Sequence, residues 1–206
     1  AAYSCGKPAM GVGAGNVPAY INKSANVEQA VNDIVISKSF DNGMICAYEQ
    51  AVIIDEDVYN EATALFKKFK AYFVNKEEKV KLSRYMFGKA VGDEDVENAR
   101  LQPALVGQSA YWIAKQAGFE IPEDTSIICV PCKEVGPKEP ISREKLSPVL
   151  AVFKVKDDKE GFQKAAEMVE FNGLGHSAAI HCKEQAMADA YGEKVKAMRI
   201  IWNSPS

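Results

Sequence analysis

The spacing of apolar residues predicts a first helix early in the chain. Its apolar face consists of Val27, Ala30, Val31, Ile34 and Val35. Asn26 comes directly before this stretch, and its side chain is of a type that caps helices, with Gln29 three positions later. We therefore predict a helix that begins after residue 26 and packs one face against a core.

A second amphipathic stretch follows an acidic segment at 55–57, which suits the positive end of a helix dipole. Its apolar face consists of Val58, Ala62, Leu65, Phe66, Phe69 and Phe73. This pattern predicts the longest helix of the chain. Similar but shorter patterns predict further helices over 109–116, 159–171 and 183–191.

Short β-branched runs alternate with these helices. They cover 10–12, 51–54, 127–130, 149–155, 178–180 and 198–202. Most of them lack an alternation of apolar and polar residues, which is typical of strands buried on both faces of a parallel sheet. We therefore predict an α/β fold with an open, mostly parallel sheet and helices on both faces.

The segment 76–102 departs from this pattern, because it is rich in Lys, Glu and Asp and weakly periodic. We interpret it as an exposed helix and loop. Its basic residues are Lys76, Lys79, Lys81 and Arg84. A solvated helix face is favoured for them, and a role in holding a ligand's phosphates stays open as the alternative.

Composition narrows the function classes. The chain has 206 residues and a formal net charge of -3, so nothing predicts a nucleic-acid partner. No apolar run is long enough for a membrane helix, and the first twenty residues lack a signal-peptide core. An odd number of cysteines, 5, favours free thiols and a cytoplasmic protein. The start at Ala1 within an Ala- and Gly-rich stretch predicts a domain excised from a longer protein.

The glycine-rich segment 11–18 resembles a phosphate-binding turn at first sight. The dinucleotide fingerprint, however, opens directly into a helix, whereas Pro18 and β-favouring residues follow here. We therefore predict a loop whose backbone approaches a ligand or a neighbouring segment closely.

Cys46 lies in a polar, glycine-containing segment, 39–50, between the first helix and the run at 51–54. A thiolate in such a segment can be stabilised by backbone N–H groups and can attack a carbonyl carbon. Taken alone, these residues still favour a buried, inert cysteine, because cysteine is among the most buried residue types. Both interpretations stay open at this point.

Other candidate groups carry weaker signals. Cys129 and Cys132 form a C-x-x-C pair without a second pair or spaced histidines, so we expect no metal or redox site there. Strand alternation places His181 and Cys182 on opposite faces, which speaks against a shared metal ion. His176 differs, because it lies in a glycine-flanked loop between a helix and a strand, where functional side chains are common.

Four of these segments together resemble the aldehyde dehydrogenase superfamily. They are 11–18, 39–50 with FDNGMICAYEQ, 144–148 with EKLSP, and 173–176 with GLGH. Their order and spacing are similar to those of the CoA-acylating branch, which forms the N-terminal half of bifunctional aldehyde-alcohol dehydrogenases. The resemblance covers essentially the whole chain and implies the catalytic domain of that family, spanning 1–206.

The resemblance implies a role for individual residues. Cys46 matches the nucleophile that forms a thioester with the acyl group, and Glu144 matches the glutamate that holds the nicotinamide ribose hydroxyls. Gly13 lies in the turn that passes the nicotinamide, and His176 matches a histidine that this branch keeps near the site. A proton-transfer role for His176 and a purely positional one both remain open.

The resemblance also implies the reaction. Hydrolytic members carry a glutamate in the segment that matches 11–18, where this chain has Val12 or Gly13. Without that base, the CoA thiolate is the better acceptor of the acyl group. The expected reaction interconverts acetaldehyde, CoA and NAD with acetyl-CoA and NADH. We expect no metal in this domain, and iron only in an alcohol dehydrogenase half outside it.

Some expectations concern the longer protein. The nucleotide-binding domain would precede Ala1, the alcohol dehydrogenase half would follow Ser206, and the parent is expected to be a homo-oligomer or helical assembly. One alternative is an isolated domain that is inactive and serves folding or assembly. Others are a monofunctional enzyme for longer acyl chains and a binding domain without chemistry.

Tyr48 departs from the family, which usually has a small residue there, and 76–102 is less similar and longer than usual.

Overall fold

The computed structural model describes residues 2–8 and 14–206. Within them, seven strands form one sheet, and every strand pair is parallel. The strands are β1 (Pro18–Ile21), β2 (Ala51–Asp55), β3 (Ala71–Phe73), β4 (Ile127–Pro131), β5 (Val149–Val155), β6 (Ser177–His181) and β7 (Arg199–Trp202). Their order across the sheet is β3-β4-β5-β2-β1-β6-β7. The prediction of an open, parallel α/β sheet is confirmed.

Six α-helices of the described residues cover the two faces of this sheet. They are α1 (Val27–Ser39), α2 (Glu56–Lys68), α3 (Lys76–Phe87), α4 (Ala110–Ala117), α5 (Asp158–Asn172) and α6 (Gln185–Lys194). Apolar residues of α1 and α2 pack on one face, with Val31, Ile34 and Phe66 fully buried. The other four helices pack on the opposite face, where Met86, Ile113 and Met168 are fully buried.

The parallel arrangement divides the connecting loops into two groups. Loops that precede strands gather at one edge of the sheet, which we call the amino edge, and loops that follow strands gather at the opposite, carboxyl edge. The central strands β5, β2, β1 and β6 are neighbours in the sheet. The loops that lead into these strands are therefore brought together at the amino edge, although they are far apart in the chain.

Most predicted elements are present, and α1 begins as its cap predicts, with the Asn26 side chain accepting a hydrogen bond from the Gln29 backbone N–H. Two strands were missed. The four-residue β1 begins with Pro18, which cannot donate to a strand ladder, and β3 has only three residues. The run predicted at 10–12 lies outside the described residues.

The prediction for the second helix is wrong at its end. The helix α2 stops at Lys68, and Phe73 lies on β3 instead of on the helix. Lys70 adopts a positive φ of 66°, which ends the helical path and turns the chain into the strand. The longest described helix is α5 with 15 residues, two more than α2 with 13.

The segment 76–102 is less exposed than predicted. In α3, Leu82 and Met86 are fully buried against the core. The ammonium group of Lys79 donates to the Pro131 carbonyl oxygen and forms an ion pair of 2.6 Å with Glu139. This lysine is therefore a structural link between α3 and the segment after β4 and is not part of a solvated face. In the described part of the chain, no helix has the length and apolarity to cross a bilayer.

Candidate active site

Four loops meet at the amino edge of the sheet, one before each central strand. They cover 14–17 before β1, 40–50 before β2, 143–148 before β5 and 173–176 before β6. These loops hold the described parts of all four segments that carry the family resemblance. The candidate site is therefore assembled from chain positions that only the sheet brings together.

Cys46 lies in a tight turn on the loop before β2. The Tyr48 backbone N–H donates to the Ile45 carbonyl oxygen at 3.1 Å, which places Cys46 at the first central position of the turn. Cys46 is exposed, whereas Cys129, Cys132 and Cys182 are buried thiols. The interpretation of Cys46 as a buried cysteine is thus wrong, and its thiol is open to reagents.

Unusual backbone angles shape the chain just before Cys46. Asp41 and Asn42 have φ values of 48° and 51°, and Gly43 has a φ of 67°. A Cβ atom on Gly43 would overlap the backbone oxygen of Ser147, on the loop before β5. A residue other than glycine is therefore excluded at position 43 on two grounds, the left-handed angle and the close approach of a second loop.

Gly15 lies at the centre of the cluster. Its backbone N–H donates to Glu144 Oε1 at 3.1 Å. A Cβ atom on Gly15 would overlap the backbone oxygen of Cys46 and would lie 3.3 Å from Nε2 of His176. The prediction of close backbone approach in the glycine-rich segment is confirmed at this position. Gly15 thus lies next to the Glu144 carboxylate, the Cys46 backbone oxygen and the His176 imidazole.

Glu144 and His176, the two ionisable side chains beside Gly15, are partly shielded from water. Burial raises the pKa of Glu144, and the Gly15 N–H together with the nearby His176 imidazole counteracts part of that rise. His176 is half-buried, its backbone N–H donates to the Gly173 carbonyl, and its Nδ1 is buried without a hydrogen-bond partner. This imidazole therefore has unused capacity to exchange a proton or to bind a ligand.

Two buried amide side chains hold the loops in register. Gln50 Oε1 accepts from the Lys145 backbone N–H at 3.0 Å, and Gln50 Nε2 donates to the Tyr48 carbonyl at 3.2 Å. The loop of Cys46 is thereby tied to the loop of Glu144. Asn16 Nδ2 donates to the carbonyls of Ser142 and Met168, which ties the Gly15 segment to two further elements.

Beneath these loops lies a group of fully buried charged side chains. Lys145 Nζ donates to the carbonyls of Ile141 and Arg143, and burial lowers the pKa of Lys145 to about 7. Burial, with the nearby Lys145 charge, also lowers the pKa of Lys38. Burial raises the pKa of Glu49, whose Oε2 accepts from the Ser37 hydroxyl at 2.6 Å.

The residues predicted from the sequence separate into two groups. Cys46, Glu144 and His176 lie together around Gly15, while Gly13 lies outside the described residues. Cys129 and Cys132 are buried away from this cluster, and burial raises the pKa of both thiols. Across residues 2–8 and 14–206, no group of three His, Cys, Asp or Glu side chains is arranged to hold a metal ion.

Sequence reasoning missed the residues that position the site. Asn16, Gln50 and Lys145 lie next to recognised positions, yet each is buried and acts on a loop distant in the chain. Two signals were present, since all three residues lie within the segments that carry the resemblance, 11–18, 39–50 and 144–148, and since these segments lead into buried strands. Their partners depend on which strands are neighbours, which the sequence does not state.

No family model matches the chain. The chain is 58% identical over 206 residues to the aldehyde-alcohol dehydrogenase of Streptococcus pneumoniae, a match that covers 100% of this chain and 23% of that protein. Its fold matches an acetylating aldehyde dehydrogenase from Geobacillus thermoglucosidasius with a TM-score of 0.89 and 42% identity, covering 99% of this chain and 43% of that one. An engineered glycolyl-CoA reductase with bound NADP+ matches with a TM-score of 0.85 and 25% identity, over 98% of this chain and 44% of that one.

The chain thus spans less than a quarter of the length of the curated relative it matches and less than half of either solved structure. The match nevertheless runs through the whole of this chain, including all loops of the candidate site. The chain belongs to the acylating aldehyde dehydrogenase family.

Proposed function

We propose that this chain carries the thioester-forming site of a CoA-acylating aldehyde dehydrogenase, within a bifunctional aldehyde-alcohol dehydrogenase. The reaction interconverts a short aldehyde, CoA and NAD with acyl-CoA and NADH. The observation that carries the proposal is the meeting of exposed Cys46, His176 and Glu144 around Gly15 at the amino edge. Family membership supports the same activity.

In this proposal the Cys46 sulfur, as a thiolate, attacks the aldehyde carbon and forms a carbon–sulfur bond. Within the described residues, the Cys46 backbone N–H has no acceptor, so it is available to the oxygen that becomes negative in this step. Loss of hydride from the same carbon leaves a thioester on Cys46. The CoA thiolate then attacks this thioester, acyl-CoA leaves, and the Cys46 thiolate is regenerated.

The residues fit a nicotinamide cofactor at Glu144. One carboxylate oxygen is held by the Gly15 N–H, which leaves Oε2 to accept from ribose hydroxyls. When bound, the cofactor accepts the hydride. The family implies a nicotinamide cofactor, either NAD or NADP, and we propose NAD. From the family resemblance, Gly13 is proposed to bind the same cofactor.

His176 is proposed to take the proton from the CoA thiol. Its Nε2 lies on the same side of Gly15 as the Cys46 carbonyl oxygen, and its buried Nδ1 has no competing hydrogen bond. A ring nitrogen of an imidazole can accept a proton and release it again, which suits this transfer. The segment 11–18 contains no carboxylate that would activate water, which favours transfer of the acyl group to CoA over hydrolysis.

The test is acylation of the chain by acetyl-CoA. In the reverse direction, the Cys46 thiolate displaces CoA from acetyl-CoA, so intact mass spectrometry should detect one acetyl group per chain and free CoA in equal amount. Cys46→Ala should abolish the adduct. Cys5→Ala, which removes the other exposed cysteine, is the matched control and should leave the adduct unchanged.

Labelling of Cys5 equal to that of Cys46, or an adduct that survives Cys46→Ala, would disprove Cys46 as the nucleophile. An absence of any adduct would favour the alternative that the chain is an inactive folding or assembly unit. Repeating the reaction with longer acyl-CoA esters tests the preference for a short chain. Four expectations stay predictions. They are the domain span 1–206, a cytoplasmic location, a homo-oligomer or helical assembly of the parent, and iron in an alcohol dehydrogenase half.

A further inference from the structure

A second cavity lies at the carboxyl edge, opposite the candidate active site. After β1 the chain continues into α1 on one face of the sheet, and after β6 it continues into α6 on the other face. Diverging connections of this kind open a crevice between neighbouring strands, and such crevices commonly bind ligands in α/β proteins. Here the crevice between β1 and β6 has a volume of about 430 Å³ and is lined by the loops after β1, β6 and β7.

His181 lines this crevice and keeps an unpartnered polar atom. The side chain is 2% exposed, lines the cavity, and has an Nε2 atom that is buried without a hydrogen-bond partner. Strand alternation places it on the same face as Ala179, towards α1. A buried polar atom without a partner is costly unless a ligand or water supplies the missing hydrogen bond.

The charge of the lining favours an anion. The first turn of α1 faces the cavity through Asn26 and Gln29, and a helix N-terminus carries partial positive charge. Lys183 adds an ammonium group, and none of the lining residues carries a carboxylate. A small oxyanion in this cavity would therefore meet a cation, a helix N-terminus and an imidazole, with no opposing negative charge in the lining.

The lining is held in place by hydrogen bonds between the loops. Asn203 Nδ2 donates to the Cys182 carbonyl oxygen at 2.9 Å, and Asn203 Oδ1 accepts from the Cys182 N–H at 3.0 Å. The Lys183 N–H donates to the Ser24 hydroxyl oxygen at 3.1 Å. The loop after β6 is thus fixed to the loops after β1 and β7, and the crevice is a preformed site.

We infer that the crevice between β1 and β6 binds a small oxyanion of the phosphate class, held by Lys183, His181 and the N-terminus of α1. This site is separate from the proposed thioester chemistry at the amino edge and does not depend on it. It lies at the opposite end of the same strands.

Imidazole NMR tests the inference directly, because the chain has only two histidines, one at each edge. Inorganic phosphate is titrated at fixed pH and fixed ionic strength, with chloride as the balancing anion. The ring resonances of His181 should shift in a saturable way, whereas those of His176 should stay unchanged. A parallel titration with glycerol phosphate distinguishes free phosphate from a phosphate ester, and saturation by either one supports the site.

Lys183→Gln should raise the dissociation constant for phosphate at least fivefold, and Lys183→Arg should restore most of the binding. Lys115→Gln is the matched control, because it removes the same charge from an exposed position on α4, far from the crevice. Equal weakening by Lys183→Gln and Lys115→Gln would show general electrostatic attraction and overturn the inference. Shifts of His181 that grow without saturation, or no shift with either anion, would overturn it as well.

Discussion

Asp55 at the carboxyl edge and Cys46 at the amino edge have different surroundings. At the carboxyl edge, Asp55 accepts hydrogen bonds from the Tyr20 hydroxyl at 2.6 Å, from Asn22 Nδ2 at 3.2 Å and from the Lys23 N–H at 2.7 Å. At the amino edge, Cys46 is exposed and His176 keeps an unused ring nitrogen. The first arrangement satisfies a charge, and the second leaves reactive atoms available.

Helix direction adds a second difference. The amino edge receives the C-termini of α1 and α5, which carry partial negative charge, whereas the carboxyl edge receives helix N-termini. Negative helix ends disfavour an anionic nucleophile or oxyanion. Lys38 and Lys145, both fully buried beneath the amino-edge loops, supply the opposite charge whenever they are protonated. Protonated Lys38 and Lys145 therefore offset the negative helix ends at this edge.

The largest effect is expected from Gly15→Ala at the amino edge. The added Cβ would overlap the Cys46 backbone oxygen and displace the turn that carries Cys46. We expect the rate of Cys46 acetylation by acetyl-CoA to fall at least about 100-fold, since small displacements of reacting groups are costly. Gly192→Ala is the control, because its Cβ would meet only Ile200 at 3.4 Å. A Gly15→Ala rate close to that of the control would contradict the cluster around Gly15.

Asp55→Asn at the carboxyl edge should lower the free energy of unfolding and leave the rate of Cys46 acetylation almost unchanged. The amide would place an NH2 group or a weaker acceptor opposite several donors, so we expect a loss of about 2 kcal/mol in the free energy of unfolding. Urea denaturation measures this loss. Cys46 acetylation in the folded variant should stay within twofold of the original rate, and a parallel loss of both properties would argue that the edges are coupled.

Lys145→Met should change how stability depends on pH. Because the folded pKa of Lys145 is about 7 and its ordinary value is 10.5, the folded chain binds fewer protons than the unfolded chain between these values. The contribution of Lys145 to stability therefore rises with pH from about 7 to 10.5, by at most about 1.4 kcal/mol per pH unit. Denaturation at pH 7 and pH 9 should show a smaller increase in Lys145→Met than in the original chain. An identical increase in both would mean that Lys145 is not the titrating group.

The smallest effect is expected from Tyr48→Phe. Tyr48 is 8% exposed, and its ring packs edge-to-face on Phe40 at 6.4 Å between centroids. Phe keeps this packing, so the acetylation rate should stay within about twofold and the stability within about 0.5 kcal/mol. A large drop in the acetylation rate would assign the hydroxyl a direct part in the chemistry, and would explain why this chain departs from the small residue usual in the family.

Local patterns predicted the elements whose causes are local. The helix α1 follows from the Asn26 cap and its apolar face, and the strand β5 matches its predicted bounds. Lys79 could not be placed from its own neighbourhood, because its partner Glu139 lies 60 positions away. The turn at Lys70 was missed for a different reason, since a positive φ at lysine has no sequence signature.

The residues of the candidate site stand in segments that the sequence singles out, but their geometry was not predictable. Cys46, Glu144 and His176 stand in recognisable segments, and their meeting depends on the order of the strands. The buried support from Gln50 and Lys145 was unpredictable, because a polar residue beside a strand looks the same whether it faces solvent or a neighbouring loop. Burial of this kind is a property of the assembled sheet.

The strand order has a consequence for the timing of folding. The hydrogen bond between Gly15 and Glu144 closes a separation of 129 residues, and β1 pairs with β6 through Ala19 and Ala179. Contacts of such long range form late and slowly. A nascent chain that has not yet reached His176 has a Cys46 but no partner imidazole beside Gly15. Cys46 therefore gains Glu144 and His176 as neighbours only when the last central strand is in place, which couples the assembly of the candidate site to the completion of the fold.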